Sequence, residues 1–155
     1  MAPILYLLCG LPGSGKTTRA RELKEAGKGV LFNADEWVCD RYPEDAEEAA
    51  RDGRKVLIEQ TQWALAERLL TDGTSVILDW GVWTREERAG YRQRARELGA
   101  VVETVFLDVP LETLHERIAA RNRDLPPGTF HISAEEFDEW AALFEPPTGA
   151  ELSER

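Results

Sequence analysis

The sequence contains little cysteine, histidine or positive charge. Its 155 residues include two cysteines and two histidines, and 19 Lys and Arg stand against 29 Asp and Glu, which gives a net charge of −10. Cys9 and Cys39 do not have the spacing of metal ligands, and neither His115 nor His131 has a partner for a catalytic set. The sequence therefore predicts neither a zinc site nor a Ser/His/Asp or Cys/His catalytic set. Reduced cysteines favour the cytoplasm as the location.

Long hydrophobic runs are missing as well. The apolar stretch at residues 3–9 is too short to span a membrane, and no positively charged segment precedes it as in a signal peptide, so we expect no membrane partner. The acidic balance disfavours nucleic acid as a partner without excluding it, because basic side chains that neutralise phosphates supply most of the affinity for nucleic acid. We therefore expect a small, neutral or cationic substrate. The oligomeric state is left open.

A glycine-rich motif is the most informative feature that is present. Residues 10–17 read Gly-Leu-Pro-Gly-Ser-Gly-Lys-Thr, which matches the phosphate-binding pattern G-x-x-x-x-G-K-S/T directly after an apolar run. Backbone N–H groups of such a loop surround phosphate oxygens, and the helix that follows adds partial positive charge. We expect Lys16 to contact the outer phosphates and the Thr17 hydroxyl to bind Mg²⁺. The motif predicts a nucleoside triphosphate site made of Gly10, Leu11, Pro12, Gly13, Ser14, Gly15, Lys16, Thr17 and Thr18.

Short apolar runs alternate with helical patterns along the chain. Alternating strands and helices form a parallel sheet with helices on both faces. We therefore predict a three-layer α/β/α domain over residues 1–147 and a frayed C-terminal tail at 148–155. The predicted strands are 3–9, 29–32, 75–79 and 101–108, and the predicted helices are 16–26, 44–70 with a break at Gly53, and three that begin after Thr84, Pro110 and Ser133.

Two aspartates follow predicted strands, at the edge where parallel α/β sheets bind their ligands. Asp35 is the candidate general base that accepts the proton of a substrate hydroxyl, with Glu36 as its substitute; the alternative is that Asp35 caps a helix. Asp79 is the candidate that orients Mg²⁺ together with Thr17, and its alternatives are a substrate contact and a loop cap. These carboxylates predict phosphoryl-transfer chemistry at this edge.

Aromatic side chains lie near the same strand ends. Trp80 and Trp83 flank Gly81, and they either wall a substrate pocket by stacking or pack against the neighbouring helix. Trp37 follows Asp35 by two residues and is assigned to the substrate pocket with them. The three tryptophans and Asp35 are therefore the predicted substrate contacts.

Arginines in the second half of the chain are candidates for phosphate contacts. Arg121 and Arg123 precede a segment with Pro and Gly at 124–128, an order typical of the hinge of a lid, and we expect them to neutralise the transferred phosphoryl group. Arg117 either joins them or pairs with glutamates of its own helix. Arg85 and Arg88 are expected on a solvated helix face with Glu86 and Glu87, and the alternative is that they contact a phosphate-bearing substrate.

The order of these motifs resembles the compact P-loop kinases grouped with phage polynucleotide 5′-hydroxyl kinase, chloramphenicol phosphotransferase and zeta-toxin kinases. The resemblance covers residues 4 to about 147 and rests on 10–18, 33–35, 77–79 followed by 84–88, and 106–110 followed by the three arginines of the predicted lid. It implies a P-loop NTPase fold with about four or five strands, ATP and Mg²⁺ as ligands, Asp35 as general base and a short helical lid at about 117–131.

One position departs from the pattern of polynucleotide kinase. That family has an arginine three residues after the catalytic aspartate, where this chain has Val38, and Arg41 is the nearest substitute. We therefore predict an ATP-dependent kinase that phosphorylates a hydroxyl of a small molecule. A 5′-hydroxyl polynucleotide or RNA kinase and an ATP-binding switch protein without kinase activity are the alternatives.

Overall fold

Strands and helices alternate along residues 1–154, the part of the chain that the computed structural model describes. The strands are β1 (Ile4–Cys9), β2 (Val30–Asn33), β3 (Val76–Gly81) and β4 (Val101–Phe106). The helices are α1 (Lys16–Glu25), α2 (Ala34–Arg41), α3 (Ala46–Arg51), α4 (Arg54–Thr71), α5 (Arg85–Glu97), α6 (Leu111–Arg123), α7 (Ala134–Leu143) and α8 (Gly149–Ser153). The predicted alternation is confirmed, and α2 and α8 are additional helices.

The strands form one sheet. They lie in the order β2-β3-β1-β4, and every neighbouring pair is parallel. Leu5 of β1 pairs with Val76 of β3 on one side and with Val102 of β4 on the other, so β1 is an inner strand. Because residues 1–154 contain no fifth strand, the sheet has the smaller of the two predicted sizes.

Successive side chains of β1 pack against helices on opposite faces of the sheet, as a strand buried on both faces requires. Leu7 belongs to a buried cluster that includes Leu70 of α4. Its neighbour Leu8 belongs to a second cluster with Ala20 of α1. The predicted three-layer α/β/α fold is confirmed.

Gly53 divides the long predicted helix into α3 and α4, as expected. Its φ angle of 90° lies in the left-handed region, which costs glycine little and other residues much. The chain therefore changes direction between Arg51 and Arg54. This change of direction matters for the site, because residues of α3 and of the first turn of α4 both line the cavity described below.

The expectation of a frayed C-terminal tail is wrong for the residues that the structure describes. Thr148 caps α8 by accepting a hydrogen bond from the backbone N–H of Glu151. The Glu151 side chain is buried and forms ion pairs with Arg88 and Arg92 of α5. Because this five-residue helix has no apolar pattern, the sequence did not indicate that α8 is held against α5 by the Glu151 carboxylate.

Arg88 is a second correction, because it is fully buried rather than on a solvated face. Besides its ion pair with Glu151, its guanidinium donates hydrogen bonds to the backbone carbonyls of Val82 at 2.8 Å and Glu145 at 2.7 Å. Burial lowers the pKa of Arg88, but hydrogen bonding to Glu151 together with nearby negative charge outweighs it, and the pKa is raised. Arg88 is therefore a structural cation.

In residues 1–154 no helix has the length and apolar character needed to cross a membrane.

Candidate active site

A cavity of about 370 Å³ opens at the carboxyl ends of the strands, within the size range of small-molecule sites. One wall is the glycine-rich loop after β1, and the floor comes from the ends of β2 and β3. The opposite wall comes from α3, the start of α4, the segment that joins α6 to α7, and α7 itself. The cavity lies where the order of motifs predicted it.

The glycine-rich loop contributes the first group of cavity residues. Gly13 and Gly15 have φ angles of 84° and 96°, which turn the backbone around the start of α1. Lys16 donates to the carbonyl of Leu11 at 3.4 Å, and burial lowers the pKa of its ammonium group although the charges of two aspartates oppose this. Pro12, Gly13, Gly15, Lys16, Thr17 and Thr18 line the cavity, whereas Gly10, Leu11 and Ser14 are buried beneath the loop.

The residues predicted to bind Mg²⁺ contact each other directly. Thr17 Oγ1 donates to Asp79 Oδ2 at 2.9 Å, and Asn33 Nδ2 donates to the same oxygen at 2.8 Å. Burial raises the pKa of Asp79, while Lys16 and these hydrogen bonds oppose the shift. A hydroxyl beside a carboxylate fits the oxygen preference of Mg²⁺. In residues 1–154 no three His, Cys, Asp or Glu side chains cluster as ligands, so phosphates and water would have to complete the coordination.

Asp35 lies in the first turn of α2 and lines the cavity. The helix is capped by Asn33, whose side chain accepts from the backbone N–H of Glu36, so the alternative that Asp35 is the cap is wrong. The Asp35 carboxylate forms an ion pair with Lys55 of α4 at 2.7 Å. Burial raises the pKa of Asp35, but the charge and hydrogen bond of Lys55 outweigh it, and the pKa is lowered. The carboxylate is therefore ionised and available as a proton acceptor.

The cation beside Asp35 is Lys55 and not Arg41, the residue that the sequence suggested. Val38 is fully buried, and Arg41 is exposed and does not line the cavity. Lys55 lies 20 positions beyond Asp35 in the sequence, on another helix, and no motif marks it. Only the packing of α4 beside α2 brings this cation to the carboxylate.

The arginines at the end of α6 have different positions. Arg121 lines the cavity, and its Nε is buried without a hydrogen-bond partner among the described residues. Burial lowers the pKa of Arg121 while the charge of Asp35 opposes this. Arg123 is exposed and outside the cavity lining, and Arg117 donates to the Gly13 carbonyl at 3.0 Å rather than pairing with a glutamate. An orphaned donor beside the glycine-rich loop is suited to a phosphate oxygen.

Two of the three predicted tryptophans line the cavity. Trp80 lies in the lining and also packs on the core, where its Nε1 donates to Gln62 at 2.8 Å. Trp83 lies in the lining as well and packs on the core, and a role of either side chain in stacking on a substrate stays a prediction. Trp37 is outside the cavity and packs edge-on against Phe32. Two residues along a helix turn by about 200°, which carries Trp37 away from the face of Asp35.

The family of this chain follows from the match of its sequence to a family model. The model, described as an AAA domain, AAA_33, covers residues 5–147. The chain belongs to the AAA_33 family. Its membership of the P-loop kinase superfamily, which the motif order predicted, is thereby confirmed. No curated protein matched the sequence.

Several solved structures share the fold of this AAA_33 protein. A candidate kinase from Chloroflexus aurantiacus J-10-fl has a TM-score of 0.72 at 18% identity, over 96% of this chain and 83% of that one. A gluconokinase from Sinorhizobium meliloti 1021 has 0.60 at 18% identity, over 96% and 77%. A chain of the Pnkp1/Rnl/Hen1 RNA repair complex has 0.68 at 23% identity, over 91% and 43%. At these identities the likeness shows the fold alone.

The cavity of the AAA_33 chain also has apolar lining residues that the sequence did not mark as functional. Phe130 and Ile132 lie in the segment between α6 and α7, and Trp140 lies on α7. The Trp140 indole packs on the core and also lines the cavity. The lid at about 117–131 stays a prediction; there the structure has the end of α6 and an irregular segment.

Proposed function

We propose that this chain is an ATP-dependent kinase that transfers the γ-phosphoryl group of ATP to a hydroxyl of a small-molecule acceptor. The observation that carries the proposal is a single cavity that contains an ionised Asp35, the Lys16 ammonium group and Arg121, whose Nε has no hydrogen-bond partner among residues 1–154. Kinases need these three elements together, since transfer relies on positioning and charge stabilisation rather than on covalent chemistry by the protein.

In the proposed reaction, the acceptor oxygen bonds to the γ-phosphorus while the bond from that phosphorus to the β–γ bridging oxygen breaks and ADP leaves. Asp35 takes the proton of the hydroxyl. Lys16 and the loop N–H groups hold the β- and γ-phosphates, and Arg121 neutralises charge on the transferred group. Mg²⁺, held beside Thr17 and Asp79, would supply further positive charge between the two phosphates.

A polynucleotide or RNA 5′-hydroxyl kinase is the second candidate, favoured by the fold shared with the chain of the RNA repair complex. The charges of this chain weigh against it. The net charge is −10, and Lys55 and Arg51, which line the cavity away from the glycine-rich loop, are both paired with carboxylates. We therefore place the small-molecule kinase first, and the gluconokinase among the structural neighbours has an acceptor of that class.

The test is transfer of label from γ-³²P-ATP across a panel of hydroxyl compounds, with ADP release measured in the same samples. The panel contains nucleosides, sugars, sugar acids, antibiotics and 5′-hydroxyl oligonucleotides. We expect a small compound to become labelled and to raise ADP release above the rate without acceptor. Slow ADP release that no compound changes, together with a nucleotide-dependent change in association state, would instead support a switch protein.

Lys55→Met is expected to move the acid limb of the pH profile of kcat/KM to higher pH. Lys55 holds the pKa of Asp35 below its usual value, and Asp35 must be ionised to accept a proton. Without that charge the carboxylate takes up a proton at higher pH, so activity is lost earlier as the pH falls. Lys55→Arg keeps the charge and is the matched control. An acid limb that is the same in Lys55→Met and wild type would contradict this role.

Arg121→Met is expected to lower kcat roughly 100-fold, in line with the loss of one donor aimed at transition-state charge, with a small change in the KM for ATP. Steady-state kinetics with the identified acceptor separate the two parameters. Arg123→Met is the matched control, because Arg123 lies two positions further on α6 and is exposed outside the cavity. Equal losses in the two variants would show that the position of Arg121 in the cavity does not matter.

A further inference from the structure

An aromatic wall lies on the side of the cavity formed by the turn after β3, the segment between α6 and α7, and α7. The rings of Trp83 and Trp140 lie with their centroids 5.5 Å apart at an interplanar angle of 36°, and Phe130 and Ile132 line the cavity beside them. Both indoles pack on a buried cluster that includes Leu114 of α6. Because the core supports it from behind, this wall is in place before any ligand binds.

The charged side chains on the wall opposite the glycine-rich loop are paired. Arg51 makes two hydrogen bonds to Glu136, of 3.0 and 2.7 Å, and holds the pKa of that carboxyl to about 2. Lys55 is paired with Asp35. Glu47 accepts the backbone N–H of His131 at 3.0 Å. In the described part of the chain, the cations of the lining are therefore paired with carboxylates, apart from Lys16 and Arg121, which the proposed function assigns to the phosphates of ATP.

The sum of these charges is also unfavourable for an anion. The proposed function assigns Lys16, Arg121 and Asp79 of the lining to ATP and Mg²⁺. Among the charged side chains that remain, Asp35, Glu47 and Glu136 carry three negative charges, and Arg51 and Lys55 carry two positive charges. An acceptor with a carboxylate or phosphate would have to displace one of the internal pairs and leave another carboxylate unpaired. Such a charge left without its partner in a partly buried site is costly. Anionic acceptors are therefore selected against.

The same contacts limit the size of the acceptor. The Arg51–Glu136 pair joins α3 to α7, and the bond between Glu47 and the His131 backbone joins α3 to the segment before α7. These two links hold together the elements that form the wall opposite the glycine-rich loop. They favour a compact molecule over a polymer that must leave the site in both directions.

We propose that the acceptor is an uncharged alcohol that carries a flat aromatic ring, and that Trp83 and Trp140 bind this ring. The inference rests on the proposed function, because the ring has to place its hydroxyl at Asp35. Stacking on indole supplies affinity without charge, and it is the attraction that the aromatic wall itself offers to a ligand. The proposal thus makes two separate statements about the acceptor: it carries an aromatic ring, and it carries no negative charge.

Equilibrium binding tests both criteria without relying on catalysis. The full chain, saturated with Mg²⁺ and a non-hydrolysable ATP analogue, is titrated by calorimetry with two matched series. One contains phenyl β-glucoside, phenyl β-glucuronide and glucose; the other contains thymidine, thymidine 3′-monophosphate and 2-deoxyribose. In each series the second compound adds an anion and the third removes the ring. We expect the uncharged aromatic member of at least one series to bind tenfold or more tightly than both of its partners.

Variants connect the binding to the aromatic wall. Trp140→Leu and Trp83→Leu are expected to weaken binding of the aromatic member at least tenfold while leaving the Kd of the ATP analogue unchanged. Trp37→Leu removes the same indole from a position outside the cavity and is expected to bind like wild type. The unchanged analogue affinity reports that the variants are folded.

The outcomes separate this inference from the proposed function. Equal or tighter binding of an anionic or ring-free partner, or no binding of either uncharged aromatic compound, overturns the inference. Labelling of a sugar acid by γ-³²P-ATP in preference to every uncharged aromatic alcohol also overturns it, while the kinase proposal stands. If an aromatic alcohol binds through Trp83 and Trp140 but is never phosphorylated, the inference about the pocket stands and the kinase proposal fails.

Discussion

Asp35→Asn is expected to lower the rate of phosphoryl transfer by roughly 10²- to 10⁴-fold, the usual contribution of a positioned general base. The amide keeps the shape of the side chain but cannot take the proton of the acceptor hydroxyl. Asp35 lies on α2 rather than in the glycine-rich loop, so the affinity for Mg·ATP should change little. Single-turnover transfer with labelled ATP measures the rate, and titration with a non-hydrolysable analogue measures the affinity.

Asp40→Asn is the matched control for this experiment. Asp40 lies on the same helix, is exposed, and does not line the cavity, so the same chemical change there should leave the rate at the wild-type value. A rate in Asp35→Asn that equals that of Asp40→Asn would remove Asp35 from the mechanism. Loss of analogue binding in Asp35→Asn would show instead that the variant acts through nucleotide binding.

Arg88→Met is expected to destabilise the protein by about 3–5 kcal/mol, as is typical when one partner of a buried ion pair is removed. Arg88 is fully buried and joins three segments: Glu151 of α8, the Glu145 carbonyl before it, and the Val82 carbonyl after β3. Val82 has a φ angle of 37°, which is strained for a β-branched residue. The variant therefore loses a charge partner and the support of a strained turn.

Thermal unfolding measures this effect, and a loss of that size lowers the Tm of a 155-residue domain by about 10 °C. Arg94→Met is the matched control on the same helix. The Arg94 side chain is 45% exposed and pairs with Glu67 and Glu97 in solvent, so its removal should shift the Tm only slightly. Similar melting temperatures for the two variants would show that the buried cation does not hold the C-terminal helix in place.

The strands and the nucleotide loop were predictable because their signals are local. Four apolar runs gave four strands, and the bounds differ from the predicted ones by up to two residues. The pattern at residues 10–17 led to a loop in which Lys16 and Thr17 face the cavity. Asp35 and Asp79 were identified for a similar reason, because each follows a strand, and the ends of parallel strands meet at one edge of the sheet.

The missed residues share a different property, since each owes its role to a contact between elements distant in sequence. Lys55 reaches Asp35 only through the packing of α4 on α2. Arg88 belongs to a polar stretch whose pattern predicts a solvated helix face. In the fold, however, it is paired with Glu151, which lies 63 positions further along the chain. Trp37 was placed in the pocket from its nearness to Asp35 in sequence, whereas helical rotation puts it on another face.

The sequence by itself determined the class of fold, the nucleotide loop and the two aspartates, because backbone geometry and strand order carry short motifs to predictable places. Only the tertiary structure decided which cation accompanies Asp35, which arginine lies in the cavity, and which tryptophans form its wall. Those choices depend on the angles at which helices pack and on the pairing of charges across the cavity. The spacing of residues along the chain predicts neither the packing angles of the helices nor the pairing of these charges.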